Sequence, residues 1–241
     1  MDTRPLQPDA NAVAAMKPGQ LYLSVIQPIS KQLSVADGGE TFLIQFDEVT
    51  EAQGLLLAAH WLHGEVSSGG FQGFFGSALG VVAPEALRGF ELMRMSKAAE
   101  VVKSAMAKFG KLYLREKIER QPKLDKLKKP GATRQETDPF FSHDAQFQAG
   151  FGPADFATQA DAFVREHPNV FFRPAAWRAF AHPDGRAWAV RVGATGFELR
   201  IGPTDDPNDP PVIRARESKA PEAEASRLIK EQLAEGFLAR G

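Results

Sequence analysis

Cysteine is absent from the 241 residues, which excludes disulfides, thiolate zinc sites and a cysteine nucleophile. Charge of one sign is also missing. The net charge is -1, so charge alone marks neither a basic nucleic-acid binder nor a strongly acidic protein. No segment approaches the ~20 apolar residues of a membrane helix, and the expectation is a protein without membrane contact, in the cytoplasm. The first twenty residues open with Asp2 and hold Pro5, Pro8 and Pro18, so they are expected not to act as a secretory signal but to form a flexible segment. Internal repeats and long low-complexity runs are absent. A Gly-x-Ser-x-Gly elbow and a Gly-Lys-Ser/Thr phosphate loop are absent too. What is present is an ordinary globular composition, 43% hydrophobic and 24% charged, with length for one large domain or two small ones.

The charge is unevenly placed. Residues 1–100 carry 11 acidic and 6 basic side chains, and residues 101–135 carry 3 acidic and 11 basic. Up to about Arg173 the apolar spacing is helical. Val49, Ala52, Leu55, Leu56, Ala59 and Leu62 predict a helix over Glu48–His63 that ends at Gly64. Pro84 opens a second helix whose apolar face, from Leu87 through Phe90, Met95 and Val102 to Phe109, reaches Gly110. A third is expected over Lys111–Arg120, stopping before Pro122, and a fourth over Phe156–Glu166.

After Pro174 the period becomes two. Ala179 and Ala181, then Trp188, Val190 and Val192, then Phe197, Leu199 and Ile201 alternate with other residues across turns at Pro183–Gly185 and Gly193–Gly196. Four prolines between Pro203 and Pro211 predict a loop, Val212–Arg216 one more strand, and Pro221–Gly236 a helix with Leu228, Ile229 and Leu233 inward. The expected fold is a mainly helical domain over 21–173 followed by a small antiparallel sheet with a C-terminal helix over 176–241, divided at about Arg173–Ala176.

Four clusters are candidate sites. Glu65, Gly69, Gly70, Phe71, Phe74 and Phe75 read either as a rigid loop presenting aromatics to a partner or as core phenylalanines with glycines for close backbone approach. His60 and His63, at i and i+3, could hold a metal if His143 or Asp144 supplied a third ligand, or be two helix-end histidines. Lys126 heads a lysine cluster with Lys123, Lys128 and Lys129 that could bind phosphates, Tyr113 being its nearest aromatic, or be a solvated face. Arg191 and Arg200 lie opposite the apolar strand face, where Arg186, Arg214 and Arg216 could join them in a basic surface. An acidic patch could form from Glu40, Asp47, Glu48 and Glu51.

The run His63–Gly80, HGEVSSGGFQGFFGSALG, resembles the signature of the bacterial DNA-mimic-protein family, in the domain catalogued as its C-terminal domain. Glu65, Val66, Gly69, Gly70, Phe71, Phe74, Phe75, Ser77 and Gly80 match, whereas Ser68 and Gly73 stand where the pattern has Asn and Gln. Pro84-Glu85-Ala86, Leu114-Arg115-Glu116, Asp138-Pro139-Phe140, Asp144 and Phe147 continue it. The resemblance implies a mainly helical fold. Ala176–Arg240 is similar to the WGR domain of repair polymerases and bacterial regulators, with Ile201-Gly202-Pro203 at the naming motif. The expected function is that of a non-enzymatic bacterial regulator or adaptor that binds another protein and carries no cofactor. The alternatives are a nucleic-acid-binding accessory protein and a metal-dependent enzyme at His60 and His63. A homodimer and a monomer both stay open.

Overall fold

A computed structural model describes residues 3–5, 8, 10–150, 153–173, 177–193, 196–202 and 212–239, of which 10–12, 150 and 153–155 are described by their backbone alone. Met1–Arg4 with Pro18–Phe171 form one compact unit, and Pro5–Lys17 with Phe172–Gly241 a second. The expected division at Arg173–Ala176 and the expected loop Pro203–Pro211 fall mostly outside the described residues.

The elements in chain order are α1 (Ala10–Ala15), α2 (Gln20–Ile26), α3 (Gly39–Asp47), α4 (Glu51–Gly76), a 3-10 turn (Ala78–Val82), α5 (Ala83–Leu92), α6 (Ser96–Ala107), α7 (Lys117–Leu127), α8 (Arg134–Thr137), α9 (Phe141–Gly150), α10 (Pro153–Glu166), α11 (Pro168–Phe171), β1 (Arg178–Ala181), β2 (Ala187–Val192), β3 (Gly196–Ile201), β4 (Val212–Glu217), α12 (Pro221–Ala234) and β5 (Leu238–Ala239). A mainly helical region followed by an antiparallel sheet with a helix is therefore the architecture, as the period change predicts.

Three helix boundaries differ from the sequence expectation. The first helix does not end at Gly64. Its helical course runs to Gly69 and resumes after Gly70 as far as Gly76, so residues 71–76 are helix and not loop. Burial decides this: Val66, Phe71, Phe74 and Phe75 have no exposed surface, and burying each contributes about 1.5–3 kcal/mol against ~1 kcal/mol per helical glycine. The helix bends once, at Gly70 (φ 70°, ψ 175°), a conformation closed to residues with a Cβ. The second helix is broken into α5 and α6 at Arg94, which takes φ 59°. The third begins at Lys117 and runs through Pro122. Buried Arg120 anchors it by donating to the carbonyls of Phe75, Leu114, Arg115 and Ser77.

The core of the helical unit is a phenylalanine cluster. Phe75 meets Phe109, Phe140 and Phe74 at ring separations of 4.9, 5.1 and 5.2 Å, and Phe71 meets Phe147 edge-on at 5.5 Å. Gly89 on α5 lets that helix lie against α4, because a Cβ there would overlap the Leu55 carbonyl and stand 3.0 Å from Ala59 Cβ.

In the second unit the strand order is β4-β3-β2-β1-β5, all antiparallel. Phe180, Trp188, Val190, Val192, Phe197 and Leu199 form one face, covered by Ala225, Leu228 and Ile229 of α12 and by Phe237. Leu233, expected inward, is instead 46% exposed, since the last turn of α12 runs beyond the apolar face. The short β5 escaped sequence reading because two residues carry no periodicity.

Candidate protein-binding face

Helix α3 follows from its phenylalanines. Phe42 and Phe46, one turn apart, are buried, their rings 5.7 Å from each other. Phe46 fits because Gly54 of α4 has no side chain, a Cβ there standing 2.8 Å from Phe46 Cζ. The helix starts at Gly38 (φ 91°), and the free N–H of Gly39 donates to Glu116 Oε1 at 2.6 Å. With positions 39, 42 and 46 held inward, positions 40, 43, 44 and 47 share the outer face. They are Glu40, Leu43, Ile44 and Asp47, with Leu43 39% and Ile44 60% exposed.

This face is acidic at both ends and apolar between. Glu40 and Asp47 are seven residues apart, about 10.5 Å along the axis. Exposed Asp37 and Glu48 extend it. None of these four carboxylates has an ion-pair partner among the described residues, whereas Glu51 is paired with Arg88. Leu43 and Ile44 are thus exposed apolar side chains set between carboxylates that have no ion-pair partner among the described residues.

The acidic residues of the interior do a different job. Asp161 accepts the N–H groups of Gly19 (2.6 Å) and Tyr22 (2.9 Å) at the start of α2. Asp144 Oδ1 accepts the Phe71 N–H at 2.7 Å, where α4 restarts after Gly70. Arg134 ties Asp144 (2.7 Å) to Asp138 (3.2 Å), and Asp138 caps the Phe140 N–H at 2.8 Å. Burial pushes the Asp144 carboxyl up, opposed by the Phe71 N–H and the Arg134 charge. Arg115 holds Glu85 through two bonds of 2.8 and 2.7 Å. The residues that carry the family resemblance around positions 115, 116, 138 and 144 are thus helix caps and ion pairs.

Of the sequence-predicted partner residues, Phe71, Phe74 and Phe75 lie inside the core, with no surface to present. Gly70 is buried at the bend, and Glu65 is half-buried on α4. Gly69, Gly73 and Gly76 form the opposite side of the same helix. With Gln72, Lys117 and Lys128 they line an open groove of about 740 Å³. The signature is therefore two-faced, phenylalanines inward and glycines at the surface.

The histidines do not converge on a metal. His60 Nδ1 lies 3.2 Å from the Tyr22 hydroxyl, and the His63 ring stacks on Phe156 at 4.6 Å. No three potential ligands come together among the described residues, so neither His143 nor Asp144 completes a ligand set with His60 and His63. Burial lowers the pKa of His60, His63 and His143. Buried His63 Nε2 and His143 Nδ1 have no hydrogen-bond partner among the described residues.

The cations also separate. Lys126 is exposed and unpaired among the described residues, while Lys123 donates to the Phe109 carbonyl and Lys128 to Asp125. Tyr113 is no stacking platform, because its ring packs against Phe109 and Phe75 at 5.7 and 5.9 Å and its hydroxyl donates to the Gly80 carbonyl at 2.6 Å. Arg191 and Arg200 share one sheet face by register, but Arg191 is paired with Glu198 and lies over the Trp177 ring at 4.7 Å. Arg214 and Arg216 do not join them. They stand opposite Leu199 and Phe197, on the other face. Sequence reading missed Leu43 and Ile44, although the 40, 43, 44, 47 spacing was present.

The fold and this face define an α+β protein whose helical unit displays an acidic, partly apolar surface. Residues 47–167 match the family described as DMP19-like protein. The chain belongs to that DNA-mimic family, and the match includes α4 through α10 while the sheet unit lies beyond it. No curated protein and no solved structure matches the chain. No helix among the described residues is long and apolar enough to cross a membrane.

Proposed function

We propose that this protein is a non-enzymatic regulator or adaptor of DNA-mimic type that binds another protein through the outer face of α3. The observation that carries the reading is the unpaired carboxylates of Asp37, Glu40, Asp47 and Glu48 around exposed Leu43 and Ile44. Membership of the DMP19-like family supports the DNA-mimic type, and the α3 face lies just before the matched residues 47–167, meeting them at Asp47. Its near-zero net charge confines any mimicry to a patch, because a duplex carries one charge per about 1.7 Å of axis. The partner is then a protein with a basic, DNA-binding surface. For the sheet unit we keep the resemblance to the WGR domain as part of the proposal, supported by the strand-and-helix order and by buried Phe237 after Gly236 (φ 99°).

The test is affinity capture of DNA-binding proteins on the full chain, with duplex DNA as competitor. Partners should be displaced by duplex, and the variant E40K/D47K should lose at least about tenfold in affinity with unchanged thermal stability. Capture that ignores both the duplex and the double variant would refute the reading. Direct, steeply salt-dependent binding of duplex by the chain itself would instead favour the nucleic-acid alternative.

A further inference from the structure

The sheet of the second unit ends in a strand that nothing covers among the described residues. β4 is the edge of the order β4-β3-β2-β1-β5, and all six of its residues are exposed. On an edge, alternate residues aim both N–H and C=O away from the sheet, a template for another strand. Natural edges are usually short, bulged, covered or charged; β4 pairs with β3 without interruption from Val212 to Glu217 and is guarded by charge alone, which selects for an oppositely charged strand.

The register sets the chemistry of this edge. Val212, Arg214 and Arg216 stand opposite Ile201, Leu199 and Phe197, so they lie on the face that α12 covers further in. The two guanidinium groups have no ion-pair partner among the described residues, although α12 is rich in glutamate. On the other face lie Ile213, 58% exposed, Ala215 and Glu217.

We propose that β4 accepts an extended acidic segment of a partner protein by strand addition, with carboxylates opposite Arg214 and Arg216 and a small apolar residue between them. The incoming strand places residues two apart on one face, matching the spacing of the two arginines, and opposite charges across a strand pair stabilise it. Its intervening side chain falls on the side of Ile213 and Ala215. A second copy is disfavoured by the same charges. Antiparallel self-pairing about a twofold axis centred on Arg214 sets Arg214 against itself, and centred on Ala215 sets Arg214 against Arg216. This site belongs to the sheet unit and does not depend on the α3 reading.

The experiment titrates the full-length protein into a fluorescein-labelled peptide of alternating glutamate and valine, followed by anisotropy. Hydrogen exchange then maps the bound state. Binding with new protection confined to Val212–Glu217 is expected. R214E/R216E should weaken it at least about tenfold, and R214K/R216K should retain most of it. A lysine–valine peptide should not bind. The exposed positions leave folding intact, which circular dichroism checks. Absence of binding at millimolar peptide, indifference to R214E/R216E or protection elsewhere would overturn the proposal. Protection of β4 by duplex DNA instead of the peptide, or by self-association, would also overturn it.

Discussion

Two glycines of α4 should respond to the same substitution with opposite signs. At Gly70 the backbone takes φ 70° and ψ 175°, which costs an L-residue about 1–3 kcal/mol. An added Cβ would overlap Asp144 Oδ2 and stand 2.5 Å from Arg134 Nη2. Moving Asp144 aside breaks its 2.7 Å bond to the Phe71 N–H, and an unsatisfied buried donor costs about 1–3 kcal/mol more. Gly70→Ala should therefore destabilise the helical unit by about 2–6 kcal/mol. Gly64 is different. It is exposed and helical, and a Cβ there meets nothing within 4 Å, so Gly64→Ala should stabilise by about 0.5–1 kcal/mol. Urea unfolding followed by circular dichroism gives both values, and hydrogen exchange at the Phe71 amide reports the cap directly. The double variant G70A/D144A should be markedly less destabilised than the sum of the single variants, since both lose one bond. A Gly70→Ala protein within about 1 kcal/mol of wild type, or one whose Phe71 amide stays protected, would refute the reasoning.

Arg120→Ala should cost about 3–5 kcal/mol in urea unfolding, because it empties a fully buried site and leaves the carbonyls it served without donors. Gly89→Ala should cost about 1–3 kcal/mol in the same assay, through overlap with the Leu55 carbonyl where α5 meets α4. Acid should weaken the fold. Burial holds His60, His63 and His143 below the ordinary 6.5, so the unfolded chain takes up their protons first. Stability is then intact above pH 6.5 and falls as the pH drops below it toward the lowered folded values. Unfolding free energies at about pH 7.5 and pH 5.5 should differ in that direction, and His143→Gln should reduce the difference. A pH-independent free energy would contradict this account.

The sequence alone determined the class of structure. A helical period before Arg173 and a period of two after Pro174 follow from which residues must be buried, and burial is a property the chain displays locally. Trp188, Val190, Phe197 and Leu199 alternate because one sheet face is dry, and that face is where they lie. The signature around Gly70 was visible too, but whether its phenylalanines faced a partner or the core was not. Only the tertiary structure decided that, by burying all three rings and letting Asp144, 73 residues away from Phe71, supply the cap that a bent helix requires. The tertiary structure also decided the α3 face, since Glu40, Leu43, Ile44 and Asp47 point outward only because Phe42 and Phe46 pack inward and Gly54 leaves room. Strand register placed Arg214 and Arg216 away from Arg191 and Arg200. Periodicity reports how deeply a residue is buried. Caps, register and which charges stay unpaired depend on chain segments that meet only in the folded protein.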